Sequence, residues 1–168
     1  NLHNGRKQID ILGVGCAGIV AATHLVRKLC TSHHVTLIDR RADHIFMPAF
    51  LLLMVGQRQP EDISRKLKLL EKRNVKVVQA EIQGIDPVRQ EVKLDSGSIH
   101  YDFLIVSLGM QTVPGLIPGF AEAAHHAWEM DAAVRLRRTL DSFQGGRILV
   151  GIPLGPYRCP PAPYEAQW

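Results

Sequence analysis

Gly13, Gly15 and Gly18 stand in "GVGCAG", directly after an apolar run and directly before a stretch with helical spacing. That placement suits the recognition of a diphosphate. The first glycine permits a tight turn, the second lets backbone approach a pyrophosphate, and the third lets a helix pack closely on a strand. The helix N-terminus adds free N–H groups for anionic oxygens. Asp39 follows Gly18 by twenty-one residues at the end of the next apolar run, where a carboxylate can accept from ribose hydroxyls. Arg40 beside it joins the residues expected at the cofactor. An acidic residue here disfavours a 2′-phosphate, so NADP fits worst, while FAD and NAD fit alike. The competing reading is that the three glycines serve only close packing.

A second reactive group is the thiol of Cys159 in "YRCPPAPYE". Pro160 biases the preceding residue toward extended backbone, and proline suits a first helical turn. Cys159 is therefore expected at a helix N-terminus, a setting that favours the reactive thiolate. An inert cysteine in a proline-rich connector suits the same residues equally well. Glu165 can act as acid or base beside such a thiol, or serve as an ordinary first-turn carboxylate. The same stretch is a poor second dinucleotide loop. Pro153, Pro156, Pro160, Pro161 and Pro163 offer no N–H, and their rings fill space a phosphate needs.

The elements that must position these groups follow from periodicity. "QIDILGVG" reads as a buried strand, "AGIVAATHLVRKL" as a helix with Ile19, Ala22, Leu25, Val26 and Leu29 on one stripe, and "HVTLIDR" as a second strand. Together they form a βαβ unit. Pro48 interrupts "HIFMPAFLLLMV", where a short helix is expected. Asp62 is expected to cap a helix over "ISRKLKLLEKR" that stops at Asn74. "VKVVQAEIQGID", "QEVKLD" and "SIHYD" read as an antiparallel meander, and "FLIVSLG" as a last buried strand ending at Gly109. After "MQTVPGLIPGF", a helix from Asp131 to Leu140 and a strand "RILVGIP" are expected, beginning a second domain. The fold class is therefore α/β: a Rossmann-like domain with a parallel sheet and an inserted antiparallel meander over residues 1–110, then the start of a second such domain over 111–168.

Composition sets the outer bounds. The 168 residues are 46% hydrophobic, enough for a buried core. The net charge of +4 is dispersed, which fits solvated helix faces better than a surface for anionic ligands or a membrane, and no nucleic-acid partner is expected. Three cysteines are too few and too scattered for a disulfide framework or a zinc site. Cys16 and Cys30 read as packing residues. The adjacent pairs His33–His34 and His125–His126 lack the spacing of helical metal ligands. The apolar run "AFLLLMV" is far shorter than the roughly 20 residues of a spanning helix. The chain begins at Asn1 and ends in an incipient helix, so it is expected to be a piece of a longer one.

Across most of its length the chain resembles the sulfide:quinone oxidoreductase and flavocytochrome c sulfide dehydrogenase group. The resemblance rests on "GVGCAG" with Asp39, Pro48 in "HIFMPAF", "YDFLIVSLG" before Gly109, "VPGLIPGF" and, most specifically, "CPPAPYE". It implies FAD on the first loop, with Pro48 and Gly109 among the cofactor-binding residues, and Cys159 as a redox-active thiol. It also implies sulfide and quinone as substrates of the intact enzyme, peripheral membrane attachment on the cytoplasmic side, and possible homo-oligomers. The second redox cysteine, the quinone pocket and the membrane-binding helices are then expected beyond Trp168. The rival readings are a type II NADH dehydrogenase and a dinucleotide-binding module without redox chemistry.

Overall fold

The computed structural model describes residues 5–29, 32–152, 159 and 161–166. The chain forms two compact units, one of Asn1–Phe46 with Ser64–Gln111, the other of Met47–Ile63 with Thr112–Trp168.

The first unit is built on a parallel sheet. Strand β1 (Gln8–Leu12) leads through helix α1 (Cys16–Leu29) to β2 (His34–Asp39). A two-stranded ribbon follows, β3 (Asp43–Ile45) pairing antiparallel with β4 (Ser64–Lys66). Strand β5 (Val75–Gln79) precedes the meander of β6 (Ile82–Asp86), β7 (Glu91–Leu94) and β8 (Gly97–His100), and β9 (Phe103–Val106) returns to the main sheet. The sheet order is β5-β2-β1-β9, all parallel. Chain direction across the sheet thus reverses at β1, and ligands of open α/β sheets bind outside the strand ends at such a point.

Side chains alternate between the two sheet faces. Ile11, Val35, Leu37 and Val75 meet Ala22 of α1, with Ile19, Leu25 and Val26 of the predicted stripe packed against them. On the opposite face Leu12 and Ile38 meet Val92, Leu94 and Tyr101 of the meander region. The α/β architecture expected from the sequence is therefore the one observed.

Four local expectations are corrected. No helix starts at Ile63: Pro60–Ile63 is a 3-10 turn, Ser64–Lys66 is β4, and only Leu67–Arg73 coils, as 3-10 helix. Tertiary pairing of β4 with β3 overrides the local helical pattern. The carboxylate of Asp62 accepts from the Gln59 N–H at 2.9 Å. The stop at Asn74 holds, with φ of 61°. "VKVVQ" belongs to the parallel sheet rather than the meander. Strand β9 ends at Val106 and is not buried, with Phe103 59% exposed at the sheet edge. Residues 147–152 form no strand, and Leu149 is 95% exposed. A strand needs a partner, and the described residues of the second unit contain none.

The second unit is helical. Helices α2 (Phe50–Met54) and α4 (Met130–Asp141) pack together, with Leu53 of α2 and Ala132 and Ala133 of α4 buried. Short α3 (Phe120–Ala123) lies between them in sequence, and α5 (Ala162–Glu165) closes the described chain. Among the described residues, no helix is long and apolar enough to cross a membrane.

One buried charge in β1 yields a testable consequence. Asp10 is fully buried; its Oδ1 accepts from Gln8 Nε2 at 2.6 Å, whereas Oδ2 has no partner among the described residues. Burial pushes the Asp10 carboxyl above its ordinary 3.8, against the opposing pull of Gln8, Thr36 and Lys76. The folded state therefore holds this proton more tightly than the unfolded chain does, and stability falls as pH rises from 3.8 through the raised value. Asp10→Asn is expected to raise the thermal midpoint at neutral pH, with the gain vanishing toward pH 3.8. Melting curves across that range check it; a variant less stable at every pH would contradict this account.

Candidate functional site

The loop between β1 and α1 is held by backbone contacts that only glycine permits. Gly13 has φ of 98°, and its N–H donates to the Ile38 carbonyl at 2.9 Å. A Cβ there would lie 2.4 Å from the Ser107 carbonyl oxygen, just past β9. A Cβ on Gly18 would stand 1.9 Å from the Gly13 carbonyl oxygen and 2.9 Å from Ser107 Oγ. A Cβ on Gly15 would meet nothing within 4 Å. Two glycines thus serve packing, and the middle one leaves open space beside the helix start.

That space suits an anion. The first N–H groups of α1 have no intrahelical acceptor, and no acidic side chain stands in its first turn. The helix dipole adds partial positive charge at the same end. A diphosphate fits this cradle, which a side chain at Gly15 would fill.

Asp39 is buried at the end of β2 and ties the loop down. Its Oδ2 accepts from the Val14 N–H at 3.0 Å, and its Oδ1 accepts from the Arg41 N–H at 2.9 Å and Arg41 Nε at 3.4 Å. Each carboxylate oxygen accepts more than one bond, so a ribose hydroxyl can join those donors. The exposed Arg40 points its charge to Glu81, 3.7 Å away. Gly109, with φ of 75°, lies two residues beyond Ser107 and has open space where a side chain would be.

The structure therefore brings together Gly13, Gly15, Gly18 and Asp39, with Gly109 following the strand that abuts the loop. Pro48, Cys159 and Glu165 stand in the second unit. Pro48 is exposed in a 3-10 turn, Met47–Ala49. Cys159 is half-buried three residues before α5, and the exposed Glu165 donates its N–H to the Pro161 carbonyl at 2.9 Å. Cys16 is exposed at the start of α1, so it is not the packing residue expected. Cys30 and residues 153–158 and 160, including Pro153, Pro156 and Pro160, lie outside the described residues.

Two residues were not expected. Ser107 Oγ donates to the Leu12 carbonyl at 2.8 Å, joining the ends of β1 and β9 beneath the loop. His44 Nδ1 lies 2.8 Å from the Val14 carbonyl oxygen. Neither belongs to a recognisable spacing. The faint signal for Ser107 is a polar residue interrupting the apolar run "FLIVSL".

A parallel sheet reversing at β1, with a glycine loop under a helix start at that point, defines a dinucleotide-binding fold. The family model described as pyridine nucleotide-disulphide oxidoreductase matches residues 7–150, and the chain belongs to that family. Its enzymes bind FAD, as expected from the sequence. The sulfide-quinone reductase of Aquifex aeolicus is 38% identical over 111 residues, 65% of this chain and 26% of that protein. The external NADH-ubiquinone oxidoreductase 2 of Saccharomyces cerevisiae is 29% identical over 147 residues, 80% of this chain and 26% of that protein. The crystal structure of the Aquifex aeolicus sulfide:quinone oxidoreductase superposes with a TM-score of 0.75 at 33% identity, covering 80% of this chain and 32% of that one. The chain thus spans about a quarter to a third of the length of these relatives.

Proposed function

We propose that the intact protein oxidises sulfide and passes the electrons to a quinone. FAD would lie on the first loop, held by Gly13, Gly15, Gly18, Asp39, Arg40, Pro48 and Gly109. Residues 1–110 would belong to the FAD-binding domain and 111–168 would begin a second, Rossmann-like one. Attachment to a membrane surface would follow from segments outside this chain. The observation that carries this reading is Cys159 directly before "PPAPYE", in a chain 38% identical to a sulfide-quinone reductase over 65% of its length.

Cys159 is proposed as the sulfur acceptor and Glu165 as an acid or base beside it. Overall, an S–S bond forms between Cys159 Sγ and the sulfide sulfur, two S–H bonds break, and two electrons and two protons reach the quinone. FAD supplies the two-electron relay between donor and acceptor.

NADH as donor is the second reading, favoured by the 29% identity to an NADH-ubiquinone oxidoreductase over 80% of the chain. The prolines flanking Cys159 weigh against it, because they remove N–H donors where a nicotinamide dinucleotide would need them. Anaerobic mixing of the full-length flavoprotein with each donor separates the two. Sulfide is expected to bleach the flavin absorbance within the turnover time, and NADH to leave it. The reverse pattern would transfer the assignment to NADH oxidation.

A further inference from the structure

His44 lies on β3, outside the glycine pattern, the βαβ unit and the ribose-binding carboxylate, yet it grips the loop from thirty residues away. Its Nδ1 meets the carbonyl oxygen of Val14 at 2.8 Å. A carbonyl oxygen only accepts, so Nδ1 carries the proton and donates.

The consequence runs through one peptide plane. The Val14 carbonyl and the Gly15 N–H belong to the same trans peptide, and its planarity makes them point in opposite directions. Fixing the oxygen at His44 therefore fixes the direction of the Gly15 N–H, facing away from the imidazole. Donation to the carbonyl also polarises that amide and strengthens its N–H as a donor. The preceding peptide is fixed independently, because the Val14 N–H is taken by Asp39. Buried Val14 anchors both peptides in the core beneath α1.

We infer that His44 is a positioning residue of the cofactor loop, which through Nδ1 aims the Gly15 N–H at a phosphate of the bound dinucleotide. The inference rests on the proposed placement of FAD at this loop. It assigns His44 no part in electron transfer.

The geometry distinguishes two substitutions that would otherwise look equally conservative. The amide nitrogen of asparagine stands as many bonds from Cα as Nδ1 of histidine, whereas that of glutamine stands one bond farther, like Nε2. FAD affinity of the full chain, measured by flavin fluorescence, is expected to fall about fivefold in His44→Ala, the scale of one neutral hydrogen bond. His44→Asn is expected to stay within about twofold of the wild type, and His44→Gln to resemble His44→Ala. In the wild type, 15N spectra of the imidazole are expected to show the Nδ1–H tautomer at neutral pH, a readout that needs no variant to fold and no cofactor to bind.

His44→Asn binding as weakly as His44→Ala, or a dominant Nε2–H tautomer, would overturn the inference. If Gly15→Ala loses FAD while His44→Ala does not, the loop holds the cofactor without help from His44. If neither variant changes affinity, the placement of FAD on this loop fails, and the tautomer still judges the hydrogen bond on its own.

Discussion

Gly18→Ala is expected to destabilise the first unit by about 3 kcal/mol or more, at the upper end of what overpacking costs. An exposed helical glycine would do the opposite, gaining about 1 kcal/mol from the change. The sign reverses because the new Cβ would stand 1.9 Å from the Gly13 carbonyl oxygen, a backbone atom without a rotamer to change. Gly13 cannot retreat easily, since its N–H is bonded to Ile38 and the Ser107 carbonyl occupies the place where its side chain would be. Ser107 Oγ closes the other side at 2.9 Å. A loss of that size is a large share of the stability of a typical domain, so weak expression and lost FAD are expected together.

Gly15→Ala supplies the contrast. Its Cβ meets nothing within 4 Å, so stability should stay within about 0.5 kcal/mol of the wild type. FAD affinity should nonetheless fall, because the methyl group enters the space a pyrophosphate needs. Denaturant melts paired with flavin titration measure both effects. Equal stability losses in the two variants would mean that the loop does not divide its glycines between packing and binding.

The loop was legible in the sequence because its physics is local. A buried parallel strand reads as an apolar run, α1 carries its stripe, and three glycines within six residues mark the backbone approaches. What failed were properties set from far away. The stretch after Asp62 has helical spacing, but β3 captures Ser64–Lys66 as a strand from twenty residues upstream. "VKVVQ" and the meander strands look alike in composition, and only pairing with β2 puts the former in the parallel sheet. His44 acts on loop backbone 30 residues away and Ser107 on the end of β1 95 residues away, and a single polar side chain carries no mark of so distant a partner. Residues 147–152 show the converse limit, since their strand-like pattern meets no strand among the described residues of their unit.

Cys159→Ser in the full-length protein is expected to abolish sulfide-dependent quinone reduction, with a loss on the order of 10³-fold or more, as for removal of a covalent nucleophile. A serine hydroxyl is nearly isosteric but stays protonated at neutral pH and forms no persulfide. Cys159 is half-buried, so the exchange should leave the thermal midpoint and bound FAD near wild type, and loss of activity could not be blamed on folding. Cys16→Ser is the matched control, because that thiol is exposed and sits at the cofactor loop; full sulfide turnover is expected to remain. Glu165→Gln should fall between them, near 10²-fold, as for loss of a general acid or base. Were Cys159→Ser to keep its sulfide turnover, sulfur would have to be accepted elsewhere. Were it to lose nothing except activity toward sulfide while reducing quinone with NADH, the first domain would be serving both donors and the proline-rich stretch would not block the nicotinamide.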